Sequence, residues 1–224
     1  NTGKELKFSS NKLLSTIAYR INDETCYALE GSIFIAGAAI QWLRDSLKLI
    51  SDARETDLLY SQADSSQKIY LVPAFSGLGA PYWDGEARGS MFGLTRNTGI
   101  PEMVKAAIDS VAYQTKDLML AMEKDSNMKI SVIRVDGGMV NNESFVQFLS
   151  SLLQTRIDRP IITETTALGA AYLAGYQAKF FQKIHDIEYK WACERVFKPK
   201  LHKKEVEYLY DGWLKAIKGT LAVK

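Results

Sequence analysis

Short runs of strand-forming residues alternate with longer helical segments along most of the sequence, and this alternation constrains the fold more than any other feature. Residues 132–136, Val-Ile-Arg-Val-Asp, form one such run, with predicted helices at 101–124 before it and around 145–153 after it. A helix between two strands is typical of parallel pairing, because the chain must cross over before the next strand can run in the same direction. The sequence therefore predicts an α/β domain with a mixed, largely parallel sheet flanked by helices.

The other elements are predicted from hydrophobic periodicity and turn residues. Further strands are expected at residues 13–19, 26–30, 68–75 and 156–164, and further helices at 32–50 and 165–181. Residues 51–67 are polar and acidic, and we interpret them as a surface excursion. Residues 76–101 contain six glycines and two prolines and are interpreted as a long ordered loop. The segment from His185 onward is interpreted as a charged helical tail.

Composition argues against several classes of function. The 28 basic and 26 acidic residues leave a net charge of +2, which gives no reason to expect nucleic acid or an anionic membrane as a partner. No apolar run reaches the roughly 18 residues that a membrane span requires, so no span is expected. Cys26 and Cys193 lie far apart, which indicates reduced thiols in the cytoplasm rather than a disulfide framework. Both histidines fall in the tail without a second ligand nearby, so no metal site is predicted.

The sequence Asp-Gly-Gly, followed by Asn-Asn, lies at the end of the strand predicted at 132–136. Ligands of open α/β sheets gather at the carboxyl ends of strands, and Gly138 would let a flat ligand such as a purine approach the main chain without a Cβ in the way. Asn142 begins the next helix, and its amide offers both a donor and an acceptor. The alternative is an ordinary strand-to-helix turn capped by Asn142, which the turn alone slightly favours. Asp136 is interpreted as shaping the turn by hydrogen-bonding the glycine amides, not as a base.

Gly37 lies within the predicted helix 32–50, where a glycine costs roughly 1 kcal/mol against alanine. A ligand passing over Gly37 could meet the amide of Gln41, one turn further on the same side. Close packing against another helix or strand is an equally good explanation. The helix beginning near Thr165 carries a face of small residues, and we expect it to pack tightly in the core without a chemical role.

Two phosphate-binding motifs are excluded. The stretch Ser-Gly-Leu-Gly at 76–79 superficially suggests a dinucleotide-binding turn, but Pro81, Tyr82 and Trp83 follow where a helix should open. A Gly-Lys-Ser/Thr phosphate loop is missing from the sequence.

Five longer motifs carry a resemblance to a known family. They are YALEGSIFIAGAAIQWLRD, PAFSGLGAPYWD, ARGSMFGLTR, VDGGMVNN and ETTALGAAYLAG. Together with a signature stretch from Gly89 to Asp109, they resemble the carboxyl-terminal domain of the FGGY carbohydrate kinase family, nearly end to end. The resemblance implies an actin-like, ribonuclease-H-like ATPase fold. It also implies that residues 1–224 are a single nucleotide-binding lobe, truncated at its amino-terminal end.

Among the members of this family, the likeness is to those that phosphorylate glycerol. It implies transfer of a phosphoryl group from ATP to glycerol, giving ADP and sn-glycerol 3-phosphate, with Mg²⁺ held mainly by the phosphates and the missing lobe. The ATP/ADP contacts implied for this chain are Gly37, Gln41, Gly138 and Asn142. The family's catalytic aspartate and glycerol pocket belong to the first lobe, so we expect no catalytic residue and no metal ligand here.

The resemblance carries further expectations. The chain alone should be inactive, and the full-length enzyme should be a cytoplasmic homo-oligomer that takes ATP/ADP and glycerol. Two alternatives stay open: a noncatalytic actin-like nucleotide-binding or interaction module, and an FGGY kinase that acts on another polyol.

Overall fold

The computed structural model describes residues 1–188 and 190–223, except for the side chain of Glu188. The strands are β1 (Leu14–Ile21), β2 (Glu24–Glu30), β3 (Tyr70–Val72), β4 (Ser90–Phe92), β5 (Val132–Arg134), β6 (Arg156–Pro160) and β7 (Cys193–Phe197). The α-helices are α1 (Gly37–Gln41), α2 (Glu55–Gln62), α3 (Ile100–Ser126), α4 (Glu143–Leu153), α5 (Thr165–Gln177), α6 (His185–Glu188) and α7 (Lys203–Ala222). A π-helical turn, Trp42–Ser46, continues α1, and a 3₁₀ helix, Gly138–Asn141, precedes α4.

The strands form small mixed sheets with helices around them, which confirms the α/β class. β1 and β2 are an antiparallel hairpin, whose turn residues Asn22 and Asp23 both have positive φ, the conformation that matches the twist of paired strands. β3 pairs antiparallel with β4, and β6 pairs antiparallel with β7. Parallel pairing is observed between β5 and β6, where α4 provides the crossover. Among the strands of the described chain, parallel pairing is thus confined to this pair and does not extend through the sheets as expected.

Several predicted elements differ from the structure. The helix expected at 32–50 starts only at Gly37, so this glycine opens a helix and its cost inside one does not apply. The segment 51–67 is not only a surface excursion, because it contains α2. Strand β4 lies inside the expected loop 76–101, and β7 lies inside the expected helical tail. The tight core packing expected of α5 is not observed in this chain, where none of its residues is buried.

The 27-residue helix α3 is the centre of the core. Its start is fixed by Glu102, whose Oε2 accepts a hydrogen bond of 2.8 Å from the N–H of Gly99, the residue before the helix. Further along, the ring of Tyr113 stacks on Trp213 of α7 with centroids 5.2 Å apart. The stacked rings hold α7 against the centre of the domain.

A buried carboxylate links three parts of the chain. Asp117 is only 5% exposed and accepts hydrogen bonds from the Tyr82 hydroxyl at 2.9 Å, the Tyr210 hydroxyl at 2.6 Å and Trp213 Nε1 at 2.9 Å. Burial raises the pKa of Asp117 above its ordinary value, although the three donors act in the opposite direction. This cluster joins α3, α7 and the loop before β4.

Among the described residues, none of the helices combines the length and the apolar character that a membrane span requires.

Candidate functional site

A cleft of about 1000 Å³ lies beside α1, α2, the carboxyl end of β5 and the 3₁₀ helix. Its size is at the upper end of the range usual for small-molecule sites, roughly 300–1000 Å³. The structure brings all four residues predicted from the sequence, Gly37, Gln41, Gly138 and Asn142, to the wall of this single cleft. The first two come from α1 and the other two from the segment that links β5 to α4.

The glycines leave main chain open to the cleft. A Cβ added at Gly138 would meet no atom within 4 Å, and one added at Gly37 would meet only Met139 Cγ, at 4.0 Å. Close packing by the protein therefore does not explain either glycine in this chain. Gly137 has a different reason for being glycine, because its φ of 81° and ψ of 177° are accessible almost only to that residue. The Gly137 N–H donates to the Thr163 carbonyl at 2.9 Å, which fixes the turn.

Asn142 caps α4 as the sequence indicated. Its Oδ1 accepts a hydrogen bond of 2.7 Å from the Phe145 N–H. Its Nδ2 donates to Thr56 Oγ1 at 3.1 Å. The half-buried side chain therefore caps the helix and lines the cleft at once, so the capping and ligand-binding interpretations are compatible.

Asp136 also lines the cleft, at the end of the β5 segment. We expected Asp136 to accept hydrogen bonds from the glycine amides. The structure shows instead that Asp136 Oδ2 accepts from the Thr165 hydroxyl at the start of α5. The expected partner was therefore wrong, because the Gly137 amide is engaged by Thr163. Asp136 still shapes the turn, by tying it to α5.

Three guanidinium groups stand around the cleft, those of Arg44, Arg54 and Arg134. Arg44 pairs with Asp45, and this hydrogen bond raises the pKa of Arg44 and lowers that of Asp45. Arg54 pairs in the same way with Asp52 at 2.7 Å. The Arg134 guanidinium lies 3.9 Å from the centre of the Trp191 ring. Guanidinium groups suit phosphate oxygens, but Arg44 and Arg54 are already balanced by neighbouring carboxylates.

The contribution of α2 to the site was not predicted from the sequence. Thr56 and Asp57 line the cleft, and both hold the start of α4. The available signal was the composition of the segment, since Thr and Asp are residues that accept hydrogen bonds from helix starts. The partners lie more than 80 residues away along the chain, so a local pattern could not identify them.

Comparison with known proteins identifies the family. Residues 3–178 match the carboxyl-terminal domain of the FGGY family of carbohydrate kinases. The chain belongs to this family. FGGY kinases share an actin-like, ribonuclease-H-like ATPase fold, which confirms the fold expected from the sequence motifs.

Curated FGGY relatives are similar along almost the whole chain. The glycerol kinase of Marinomonas sp. (strain MWYL1) is 55% identical over 217 residues, which are 97% of this chain and 44% of that protein. The glycerol kinase of Sinorhizobium fredii (strain NBRC 101917 / NGR234) is 54% identical over 223 residues, which are 99% of this chain and 45% of that protein. The chain therefore spans somewhat less than half the length of these FGGY kinases.

Solved FGGY kinase structures have the same architecture. The Plasmodium falciparum glycerol kinase with ADP superposes with a TM-score of 0.89 at 36% identity, over 99% of this chain and 44% of that one. A ligand-bound xylulose kinase from Lactobacillus acidophilus superposes with a TM-score of 0.80 at 23% identity, over 99% of this chain and 45% of that one. At that lower identity the likeness concerns the fold alone.

Proposed function

We propose that this chain is the nucleotide-binding part of a glycerol kinase, which transfers a phosphoryl group from ATP to glycerol and yields sn-glycerol 3-phosphate and ADP. The observation that carries the proposal is the shared cleft. Gly37, Gln41, Gly138 and Asn142 meet there, with open main chain at both glycines. A purine nucleotide is a flat ligand that fits against bare main chain. The relatives at 53–55% identity are glycerol kinases, and one solved neighbour contains ADP.

In this proposal the four residues hold ATP or ADP and do not react with it. Gln41 and Asn142 offer amide groups to the ribose or the base edge, while Gly37 and Gly138 leave room for close approach. Phosphoryl transfer depends on holding both reactants in line and on stabilising the charge that develops. We place the base and the glycerol pocket in the part of such an enzyme that this chain does not match. The chain by itself therefore binds nucleotide weakly and does not turn it over.

Magnesium enters this proposal with the nucleotide phosphates. Within residues 1–188 and 190–223 we find no group of three or more His, Cys, Asp or Glu side chains that could hold a metal ion. The carboxylates that line the cleft, Asp57 and Asp136, already accept hydrogen bonds from Ser144 and Thr165. The described residues thus do not fit a resident metal site, and we assign none of them a step through Mg²⁺. We also propose a cytoplasmic, homo-oligomeric enzyme, in keeping with the reduced thiols inferred for Cys26 and Cys193.

Titration with ADP tests the binding half of the proposal. In amide NMR spectra of this chain, ADP should shift the resonances of Gly37, Gly138 and Asn142 and leave those of α7 unchanged. Phosphorylation of glycerol should then be measured with the intact polypeptide that contains the chain. Nucleotide binding without glycerol phosphorylation would indicate a noncatalytic module, and phosphorylation of another polyol instead would indicate a different FGGY specificity. If ADP shifts none of the cleft resonances, the site assignment is wrong.

A further inference from the structure

The first turn of α2 forms part of the wall of the nucleotide cleft. Thr56 is only 5% exposed, and its hydroxyl donates a hydrogen bond of 2.6 Å to the Ala53 carbonyl. The same hydroxyl oxygen accepts a hydrogen bond of 3.1 Å from Asn142 Nδ2. A residue of α2 is therefore in direct contact with a side chain that we assign to the nucleotide.

This contact fixes the orientation of the Asn142 amide. A hydroxyl has one hydrogen, and Thr56 gives it to Ala53, so Thr56 can only accept from Asn142 and must face its NH₂ group. On the other side, the Phe145 N–H can only donate and must face the amide oxygen. The two neighbours require the same orientation, and both hydrogen bonds would be lost if the amide flipped. One N–H hydrogen and one oxygen lone pair of the amide are left for a ligand.

Asp57, the next residue of α2, holds the main chain beside that amide. Its Oδ1 accepts a hydrogen bond of 3.1 Å from the Ser144 N–H in the first turn of α4. Such N–H groups have no partner within their own helix, and a carboxylate at a helix start is also favoured by the helix dipole. Thr56 and Asp57 thus secure the side chain of Asn142 and the main chain that follows it.

We propose that Thr56 and Asp57 are positioning residues of the nucleotide site, acting through Asn142 and the start of α4. The inference rests on the proposed function, because it assigns the oriented amide to ATP or ADP. Holding a polar group in its binding orientation before the ligand arrives removes the cost of ordering it on binding. Without the Thr56 hydroxyl, the Asn142 NH₂ group loses its partner, and only the bond from the Phe145 N–H still holds the amide in the binding geometry.

Paired substitutions separate the hydroxyl and the carboxylate from simple packing. Thr56→Val keeps the shape and removes the hydroxyl, whereas Thr56→Ser keeps the hydroxyl. Losing the oriented contact should raise the Kd for ADP about fivefold in Thr56→Val, while Thr56→Ser stays within about twofold of wild type. Asp57→Ala should weaken ADP binding, and Asp57→Asn, which retains an oxygen acceptor, should restore it. The matched control is Thr155→Val, which loses a similar hydrogen bond, to the Leu153 carbonyl, away from the cleft.

The side-chain amide resonance of Asn142 provides a readout that does not depend on ADP. In wild type it should show a contact between Nδ2 and the Thr56 side chain, and in Thr56→Val it should shift and broaden while Thr155→Val leaves it unchanged. An unshifted Asn142 resonance in Thr56→Val, or wild-type ADP affinity in that variant, overturns the inference. If Thr56→Val does not fold, two other results overturn the inference. One is the absence of the contact between Asn142 Nδ2 and Thr56 in wild type. The other is an Asp57→Asn variant that binds ADP as weakly as Asp57→Ala. Failure of wild type to bind ADP defeats the proposed function, and the resonance still decides whether Thr56 orients the amide.

Discussion

Substitution by valine should affect mainly stability at Gly137 and mainly nucleotide binding at Gly138. Gly137 has φ 81° and ψ 177°, a region that is essentially restricted to glycine and costs other residues about 1–3 kcal/mol. Gly138 has no positive φ, begins the 3₁₀ helix, and offers open space to a Cβ. We therefore expect Gly137→Val to lower the free energy of unfolding by about 1–3 kcal/mol. Gly138→Val should change it by less than about 1 kcal/mol, since glycine itself is unfavourable in helices.

The substitution at Gly138 should instead lower the affinity for nucleotide. The valine methyl groups of Gly138→Val would stand in the cleft where we place the nucleotide, so its affinity for ADP should fall at least about tenfold, or 1.4 kcal/mol. Gly85→Val is the matched control, because a Cβ at Gly85 also meets nothing within 4 Å and this residue does not line the cleft. Urea unfolding gives the stabilities and calorimetric titration gives the affinities. Wild-type affinity in a folded Gly138→Val protein, or equal destabilisation at 137 and 138, would refute the reasoning.

Two further predictions concern the hydrogen-bonded side chains. Asn142→Ala should lower the free energy of unfolding by about 1–2 kcal/mol through the lost cap and weaken ADP binding by about 1 kcal/mol. Asn142→Asp should keep the cap but not the affinity, and urea unfolding with ADP titration would detect any departure. Asp117→Asn addresses pH dependence. Because burial raises the pKa of Asp117 in the folded state, its stabilising contribution is full below the unfolded pKa of about 3.9 and declines as the pH rises through the folded value. The stability advantage of wild type over Asp117→Asn should therefore narrow with rising pH, and a widening gap in urea unfolding would contradict this.

Local signals in the sequence predicted what local chemistry decides. The turn at 137–138 and the cap at Asn142 depend on residues within a few positions of one another, and both were found where expected. The π-helical turn and the late start of α1 were not foreseen, because residues 32–36 are as apolar as the helix that follows them. A stretch of that kind does not show by periodicity where its helix begins.

Long-range contacts explain the rest. Strand β7 is rich in charge and reads poorly as a strand, but its backbone pairs with β6 and its Phe197 side chain is buried. In the sequence, Thr56 is one polar residue of a surface segment. Its contact with Asn142 joins residues 86 positions apart and leaves no local pattern. Gly37 and Gly138 could each be suspected alone, whereas their meeting in one cleft is a property of the fold.

The exposure of α5 has a consequence for local opening motions beside the cleft. Helices of fewer than about 12–15 residues are marginal in water without packing, and α5 has 13 residues of which none is fully buried. Its amides should exchange with solvent far more readily than those of α3, as expected of a unit that opens without the rest of the domain. Because Thr165 of α5 carries the hydrogen bond to Asp136, each opening of this helix releases one of the anchors of the turn at Gly137. In this chain, the rigidity of the nucleotide-facing turn is thus limited by a helix that has no buried residue.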